Sequence, residues 1–120
     1  MAHKRSSFLA SVTHAVRGVK AASAGRNFKI QVLIGAVAIV ASFLFRLSLI
    51  ERVVIVLCVG LVLAAEVLNT AVERLLDFVS KEHRPEIREI KDLMAAAVLV
   101  LSLVALVVGL WIFVRAIFFS

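Results

Sequence analysis

Three long apolar segments strongly favour a helical membrane protein. We place them at about residues 28–46, 53–78 and 92–115, and a helix needs about 20 apolar residues to cross a bilayer. Hydrophobic residues make up 62% of the 120 residues, against about 45–50% in a typical soluble domain. A soluble core of this size could not bury that much apolar surface. The sequence therefore predicts one domain, residues 1–120, with an all-α fold and three transmembrane helices.

The charges are distributed as in a membrane protein with a fixed orientation. The net charge is +6, and no acidic residue occurs before Glu51. Basic residues gather in the first 29 residues and in the polar segment 80–91, which three spans put on the same side. Cytoplasmic segments are enriched in Lys and Arg, so we expect the N-terminus and the second loop to be cytoplasmic. The charges form no single basic patch, and we predict no nucleic-acid partner.

Residues 6–23 precede the first span and show helical periodicity. A basic helix with an apolar stripe is typical of helices that lie in the membrane interface. The apolar residues that can share one face are Phe8, Leu9, Val12, Val16 and Val19. We therefore predict an N-terminal amphipathic surface helix, the alternative being a frayed tail.

The second span contains the most informative residues. At 100° per residue, Asn69, Glu73 and Asp77 lie at about 300°, 340° and 20° relative to Glu66, so all four polar groups share one face. If the span ends near residue 72, Glu66 lies roughly 9 Å inside it. A carboxyl at that depth is costly unless it is paired, hydrated or protonated. We interpret this polar face as functional. The alternative is structural, with Glu66 as a packing residue or Glu73 paired with Lys91.

A second polar cluster, Lys91 and Asp92, is expected to open the third span. An acidic side chain suits a helix N-terminus, and helix N-termini bind phosphate groups. A neighbouring lysine adds positive charge. Facing the polar stripe across a short loop, this cluster is predicted to form the anion-binding side of a phosphoryl-transfer site.

The motifs at these positions resemble the prokaryotic diacylglycerol kinase family, which includes undecaprenol kinases. The resemblance rests on A-E-V-L-N-T-A-V-E-R-L-L-D at 65–77 and I-K-D-L-M-A-A-A-V-L at 90–99, supported by A-V-R-G at 15–18 and R-N-F-K-I at 26–30. It implies a homotrimer in the bacterial cytoplasmic (inner) membrane, with active sites shared between subunits. It also implies an ATP-dependent lipid kinase acting on the primary hydroxyl of diacylglycerol or undecaprenol.

The resemblance also implies roles for individual residues. Glu66 would be the general base that activates the lipid hydroxyl, Asn69 would position the reacting groups, and Glu73 would bind the Mg²⁺ that accompanies ATP. The residues implied in ATP or phosphate binding are Lys91, Asp92, Asp77 and Arg17.

One position departs from the family pattern. The family usually has a glutamate before the R-N-F segment, where it shares the metal with the counterpart of Glu73, and here that position is Gly25. This leaves two alternatives to an active kinase. One is a catalytically impaired homologue. The other is a non-enzymatic small membrane oligomer in which Glu66 and Asn69 line a polar path, although the apolar outer half of the second span disfavours conduction.

Overall fold

The structure is all-helical throughout the part of the chain that it describes. The computed structural model describes the backbone of residues 2–119 and the side chains of residues 7–119. Its four helices are α1 (Ala2–Ala22), α2 (Arg26–Leu44), α3 (Leu49–Val79) and α4 (Pro85–Phe118). Helices α2, α3 and α4 are long and apolar enough to cross a membrane. The predicted fold class, one N-terminal helix followed by three spanning helices, is confirmed.

Helix α3 lies at the centre of the protomer, packed against both α2 and α4 and touched by the end of α1. Gly35 of α2 makes the α2–α3 packing close, since a Cβ atom there would lie 2.6 Å from Cγ1 of Val59. The two ends of the molecule differ. We call the end with α1, the end of α3 and the start of α4 the site end. The far end holds the α2–α3 turn and the end of α4.

The far end is fixed by a capping box and a bidentate ion pair. The Ser48 side chain accepts a hydrogen bond from the Glu51 backbone N–H (3.1 Å), and Glu51 Oε1 accepts one from the Ser48 N–H (2.9 Å). This arrangement satisfies two N–H groups at the helix start, and α3 therefore begins at Leu49, ahead of the predicted span at 53. Arg115 of α4 donates through Nε and Nη2 to the two Glu51 oxygens at 2.9 and 2.8 Å.

We expect Arg115→Met to destabilise the protein because it leaves the Glu51 carboxylate, whose side chain is only 20% exposed, without its cation. Bidentate arginine–carboxylate pairs are among the stronger polar interactions, and the loss should be about 1–3 kcal/mol. Thermal unfolding in detergent micelles, followed by circular dichroism, measures it. Arg84→Met is the matched control, since Arg84 and its partner Glu82 are 61% and 75% exposed. Equal shifts in the two variants would show that the far-end pair adds no stability.

At the site end, the connection between α3 and α4 is shorter than the sequence predicted. Helix α4 begins at Pro85, with Glu86 in its first turn. Proline is favoured at the first helical position, and an acidic residue there suits the helix dipole. Lys91 and Asp92 therefore lie inside α4 and do not open it. The expectation that they stand beside a free helix N-terminus is wrong.

Candidate active site

Glu66 is the buried end of the polar stripe on α3. The residue is 6% exposed, and its carboxylate has no hydrogen-bond or ion-pair partner among the described residues. The Thr70 hydroxyl, one turn further along, donates to the backbone carbonyl of Glu66 at 3.1 Å and leaves the carboxylate untouched. Burying an unpaired ionisable group is unfavourable. The Glu66 carboxylate is therefore available to interact with a group from outside the chain.

Asn69 and Glu73 follow on the same face, with exposure increasing toward the site end. Asn69 is half-buried and Glu73 exposed. Asn69 Nδ2 donates to Glu73 Oε1 over a long 3.4 Å, and Asn69 Oδ1 is buried without a partner within the described part of the chain. The amide nitrogen of Asn69 therefore faces the carboxylate, and its oxygen points away from Glu73. The exposed Glu73 carboxylate has acceptor capacity left for a cation or a donor.

Asp77 ends the stripe and contacts the start of α4. Lys91 Nζ donates to Asp77 Oδ1 at 2.9 Å, with the two side chains 39% and 62% exposed. Lys91 therefore pairs with Asp77, and the alternative pairing with Glu73 does not occur. An exposed pair of this kind stabilises a fold by only about 0–1 kcal/mol, so Lys91 can exchange Asp77 for another anion at little cost.

A cavity of about 490 Å³, lined mainly by residues with charged or polar side chains, opens beside this pair. Its lining is formed by the end of α3, the connecting loop and the first two turns of α4, and basic side chains predominate. The lining residues are Asp77, Ser80, Lys81, Glu82, His83, Arg84, Pro85, Ile87, Arg88 and Lys91. Sequence reasoning did not assign Arg84 and Arg88 to the site, although the cluster of basic residues around Pro85 was a signal for them.

Arg17 and Asp92 are not brought to the stripe. Both side chains are exposed, and neither makes a hydrogen bond or ion pair with a described residue. Helix α1 is attached to α3 near its end, where Arg74 Nη2 donates to the Ala21 carbonyl at 3.4 Å and Ala22 is buried. Gly25 follows as the N-cap of α2 and supplies no side-chain capping bond.

The stripe offers carboxylates but no complete metal cage within the described part of the chain. Within the described residues no three His, Cys, Asp or Glu side chains gather closely enough to hold a metal by themselves. Mg²⁺ keeps several waters and is commonly bound by one or two carboxylates together with substrate phosphates. The exposed Glu73 carboxylate is a ligand of that kind.

Fold and site together define an integral-membrane enzyme, with a buried carboxylate inside a spanning helix and a basic cavity at the helix ends. Residues 13–113 match the family model for prokaryotic diacylglycerol kinase. An undecaprenol kinase of Bacillus subtilis is 36% identical over 107 residues, 88% of this chain and 87% of that one. A diacylglycerol kinase of Synechocystis is 38% identical over 103 residues, 84% of this chain and 59% of that longer protein.

The chain belongs to the prokaryotic diacylglycerol kinase family, as the sequence motifs indicated. It is a membrane-embedded lipid kinase, a phosphotransferase with an alcohol acceptor.

Proposed function

We propose that this kinase transfers the γ-phosphate of MgATP to the primary hydroxyl of a membrane lipid alcohol, either diacylglycerol or undecaprenol. The carrying observation is the buried Glu66 carboxylate, unpartnered within the described residues. It lies on the same helix face as Asp77, whose partner Lys91 lines the basic cavity. A lipid hydroxyl reaches such a site from the membrane, and a nucleotide reaches it from the water.

Glu66 acts as the general base. Its carboxylate accepts the proton of the lipid hydroxyl while the hydroxyl oxygen attacks the γ-phosphorus. The bond from the γ-phosphorus to the bridging oxygen breaks, and ADP leaves with that electron pair. Phosphoryl transfer asks the protein mainly for positioning and charge neutralisation. Asn69, between Glu66 and Glu73 on the stripe, orients the reacting groups.

The nucleotide binds at the site end. Lys91 contacts its phosphates, with Asp77 and Asp92 supporting the site and Arg17 approaching from α1. The excess of basic side chains around the cavity of about 490 Å³ supports this assignment, since phosphates bind most strongly to Lys and Arg. Glu73 would hold Mg²⁺, which would neutralise phosphate charge when bound.

The active unit is a homotrimer in the bacterial cytoplasmic membrane, with the site end toward the cytoplasm. The orientation follows from the Lys and Arg of the N-terminal segment and the α3–α4 loop, which the positive-inside rule assigns to the cytoplasm. A shared site supplies the contacts that one chain leaves open. In this proposal Arg17, exposed and without a partner among the described residues, serves the site of a neighbouring subunit.

The decisive experiment incubates the purified protein in detergent micelles with γ-labelled ATP, Mg²⁺ and either diacylglycerol or undecaprenol. Label in the lipid fraction with at least one of them is the expected result, and the ratio of the two kcat/KM values identifies the acceptor. Release of the label as inorganic phosphate, with neither lipid phosphorylated, contradicts the proposal.

We expect Lys91→Ala to impair nucleotide use more than lipid use. Removing one charge-assisted phosphate contact should raise the KM for MgATP by about ten- to a hundredfold, with the KM for the lipid changed less. Steady-state kinetics with each substrate varied in turn measure both constants. The control is Lys20→Ala, which removes an exposed lysine of α1 that lies outside the cavity lining. Unchanged MgATP kinetics in the Lys91 variant would remove Lys91 from the phosphate site.

A further inference from the structure

A groove of about 550 Å³ runs along α4 at the far end, remote from the active site. The residues that line it follow one another at intervals of three or four, so they share one face of the helix. They are Val107, Leu110, Trp111, Val114, Arg115 and Phe119. The groove is largely apolar, and its polar groups are the guanidinium of Arg115 and the indole N–H of Trp111.

Arg115, in the last turn of α4, has donors left over after its ion pair. A guanidinium carries five N–H groups, and Glu51 accepts one from Nε and one from Nη2, at 2.9 and 2.8 Å. The other three make no hydrogen bond with a described residue, and the side chain is 39% exposed. Two of these, one on each Nη atom, form a second fork that suits two oxygens of a phosphate. Arg115 can therefore hold an anion without releasing Glu51.

Trp111 and the apolar part of the groove continue from Arg115 into the membrane. Trp111 is 77% exposed, and its indole N–H makes no hydrogen bond with a described residue. Tryptophan is enriched at the level of the lipid headgroups. From Arg115 to Val107 the groove covers about 12 Å along the helix, most of the roughly 15 Å of hydrocarbon in one leaflet. These dimensions fit an acyl chain below a headgroup.

The far end carries more positive than negative charge. Its cations are Arg46, Arg52 and Arg115, and its single carboxylate is Glu51. The described side chains of this end therefore have an excess of two positive charges. Arg52 donates through Nε to the Ser42 carbonyl at 2.9 Å, which leaves its charge uncancelled. Basic residues are enriched on the cytoplasmic side of membrane proteins, and the proposed orientation puts this end on the other side. The excess favours an anion at the far end.

A neighbouring copy of the chain has no carboxylate to offer at this depth. Copies inserted in one membrane share an orientation, so equivalent residues lie at equal depth. Seven of the eight acidic residues lie between Glu66 and Asp92, and Glu66 is already about 22 Å along α3 from Glu51. The eighth, Glu51, is paired with Arg115 of its own chain. The anion therefore has to come from the membrane.

We propose that this groove binds an anionic phospholipid, whose phosphate lies on the free edge of the Arg115 guanidinium beside the Trp111 indole. One acyl chain lies along the apolar part of the groove toward Val107. A headgroup with a net negative charge is preferred because this end has an excess of cations and no free carboxylate for the ammonium of a zwitterionic lipid. The phosphate extends the Glu51–Arg115 pair that joins α3 to α4. This inference does not depend on the kinase activity.

The test uses Trp111 as the probe, since it is the single tryptophan of the chain and its fluorescence reports on this groove. The purified protein is reconstituted into vesicles of phosphatidylglycerol and phosphatidylcholine with matched acyl chains, one of the two lipids being brominated. Bromine quenches tryptophan on contact, so quenching against mole fraction gives the relative binding constant of the two lipids at Trp111. We expect phosphatidylglycerol to bind about three- to tenfold more strongly.

Two variants of equal net charge separate a site at Arg115 from the overall charge of the far end. Arg115→Met removes the guanidinium of the groove, whereas Arg46→Met removes an exposed arginine outside it. The preference for phosphatidylglycerol should fall below about twofold in Arg115→Met and stay within about twofold of the wild type in Arg46→Met. Arg115→Lys keeps a cation for Glu51 but has no second fork, so it should lose at least about half of the preference while retaining the fold.

Three results would overturn the proposal. Equal binding of the two lipids to the wild type rules out a preference for the anionic headgroup, and this measurement needs no variant. Equal loss of preference in Arg46→Met and Arg115→Met assigns the effect to diffuse surface charge and not to the groove. Fluorescence that neither brominated lipid quenches shows that a second copy of the chain covers Trp111. Quenching needs no turnover, so failure of the kinase activity and failure of this inference are distinguished.

Discussion

Glu66→Gln should abolish lipid phosphorylation and leave the protein folded. Removing a general base typically lowers turnover by about 10²- to 10⁴-fold, and glutamine keeps the volume of the side chain but cannot take the proton. The Glu66 carboxylate loses no hydrogen bond or ion pair with a described residue when it is replaced. A neutral amide is also less costly to bury than a carboxylate. Activity and stability should therefore change in opposite directions, or stability should not change at all.

The measurements are kcat for lipid phosphorylation, the KM for MgATP and the unfolding midpoint in detergent. We expect kcat to fall, the KM for MgATP to stay close to that of the wild type, and the midpoint to be unchanged or raised. Glu89→Gln, on the exposed surface of α4 and outside the cavity lining, is the control for the loss of one negative charge. Full turnover in the Glu66 variant would show that another group takes the proton.

Glu73→Gln has the second large expected effect because Glu73 is the single carboxylate available for the metal at this point of the stripe. Its hydrogen-bond partner, Asn69, is neutral, and the position where the family has a second glutamate is Gly25. Replacing the carboxylate should raise the Mg²⁺ concentration for half-maximal activity at least about tenfold and lower turnover by about a hundredfold. Titrations with Mg²⁺, and Mn²⁺ binding followed by electron paramagnetic resonance in the presence of ATP, measure the two effects.

Gly25→Glu supplies the complementary change. Gly25 has an extended backbone (φ −74°, ψ 139°) that any residue can adopt, and a Cβ atom would lie 3.3 Å from the Ala22 carbonyl oxygen, so a small adjustment suffices. A carboxylate at this position should lower the Mg²⁺ requirement of the wild type and partly restore the Glu73 variant. Metal affinity that is indifferent to both substitutions would place the ion elsewhere.

The sequence was sufficient to predict the fold and the stripe because both follow from local rules. The length of an apolar segment is enough to identify a spanning helix. The helical period puts Glu66, Asn69, Glu73 and Asp77 on one face of α3, whatever the helix packs against. The connection before α4 was harder, because the polar residues 85–91 suit either a loop or an exposed helical turn. Proline is favoured at the first position of a helix, and Pro85 was the signal for the earlier start of α4 that the prediction missed.

Contacts between helices could not be predicted in the same way. The capping box at 48–51 has a local signal, S-x-x-E, that the sequence analysis did not use, and nothing local points to Arg115, 64 residues further along the chain. The choice of Asp77 over Glu73 as the partner of Lys91 depends on the register of α3 against α4.

The unequal fastening of α3 and α4 has a mechanical consequence. Two charged hydrogen bonds and the packing of Leu47, Ile55, Ile112 and Ala116 hold the far end together. At the site end, the ion pair between Lys91 and Asp77 is the one that the described residues form between α3 and α4. Spreading of the two helices during nucleotide binding or lipid release is therefore expected at the site end, while the far end keeps their alignment.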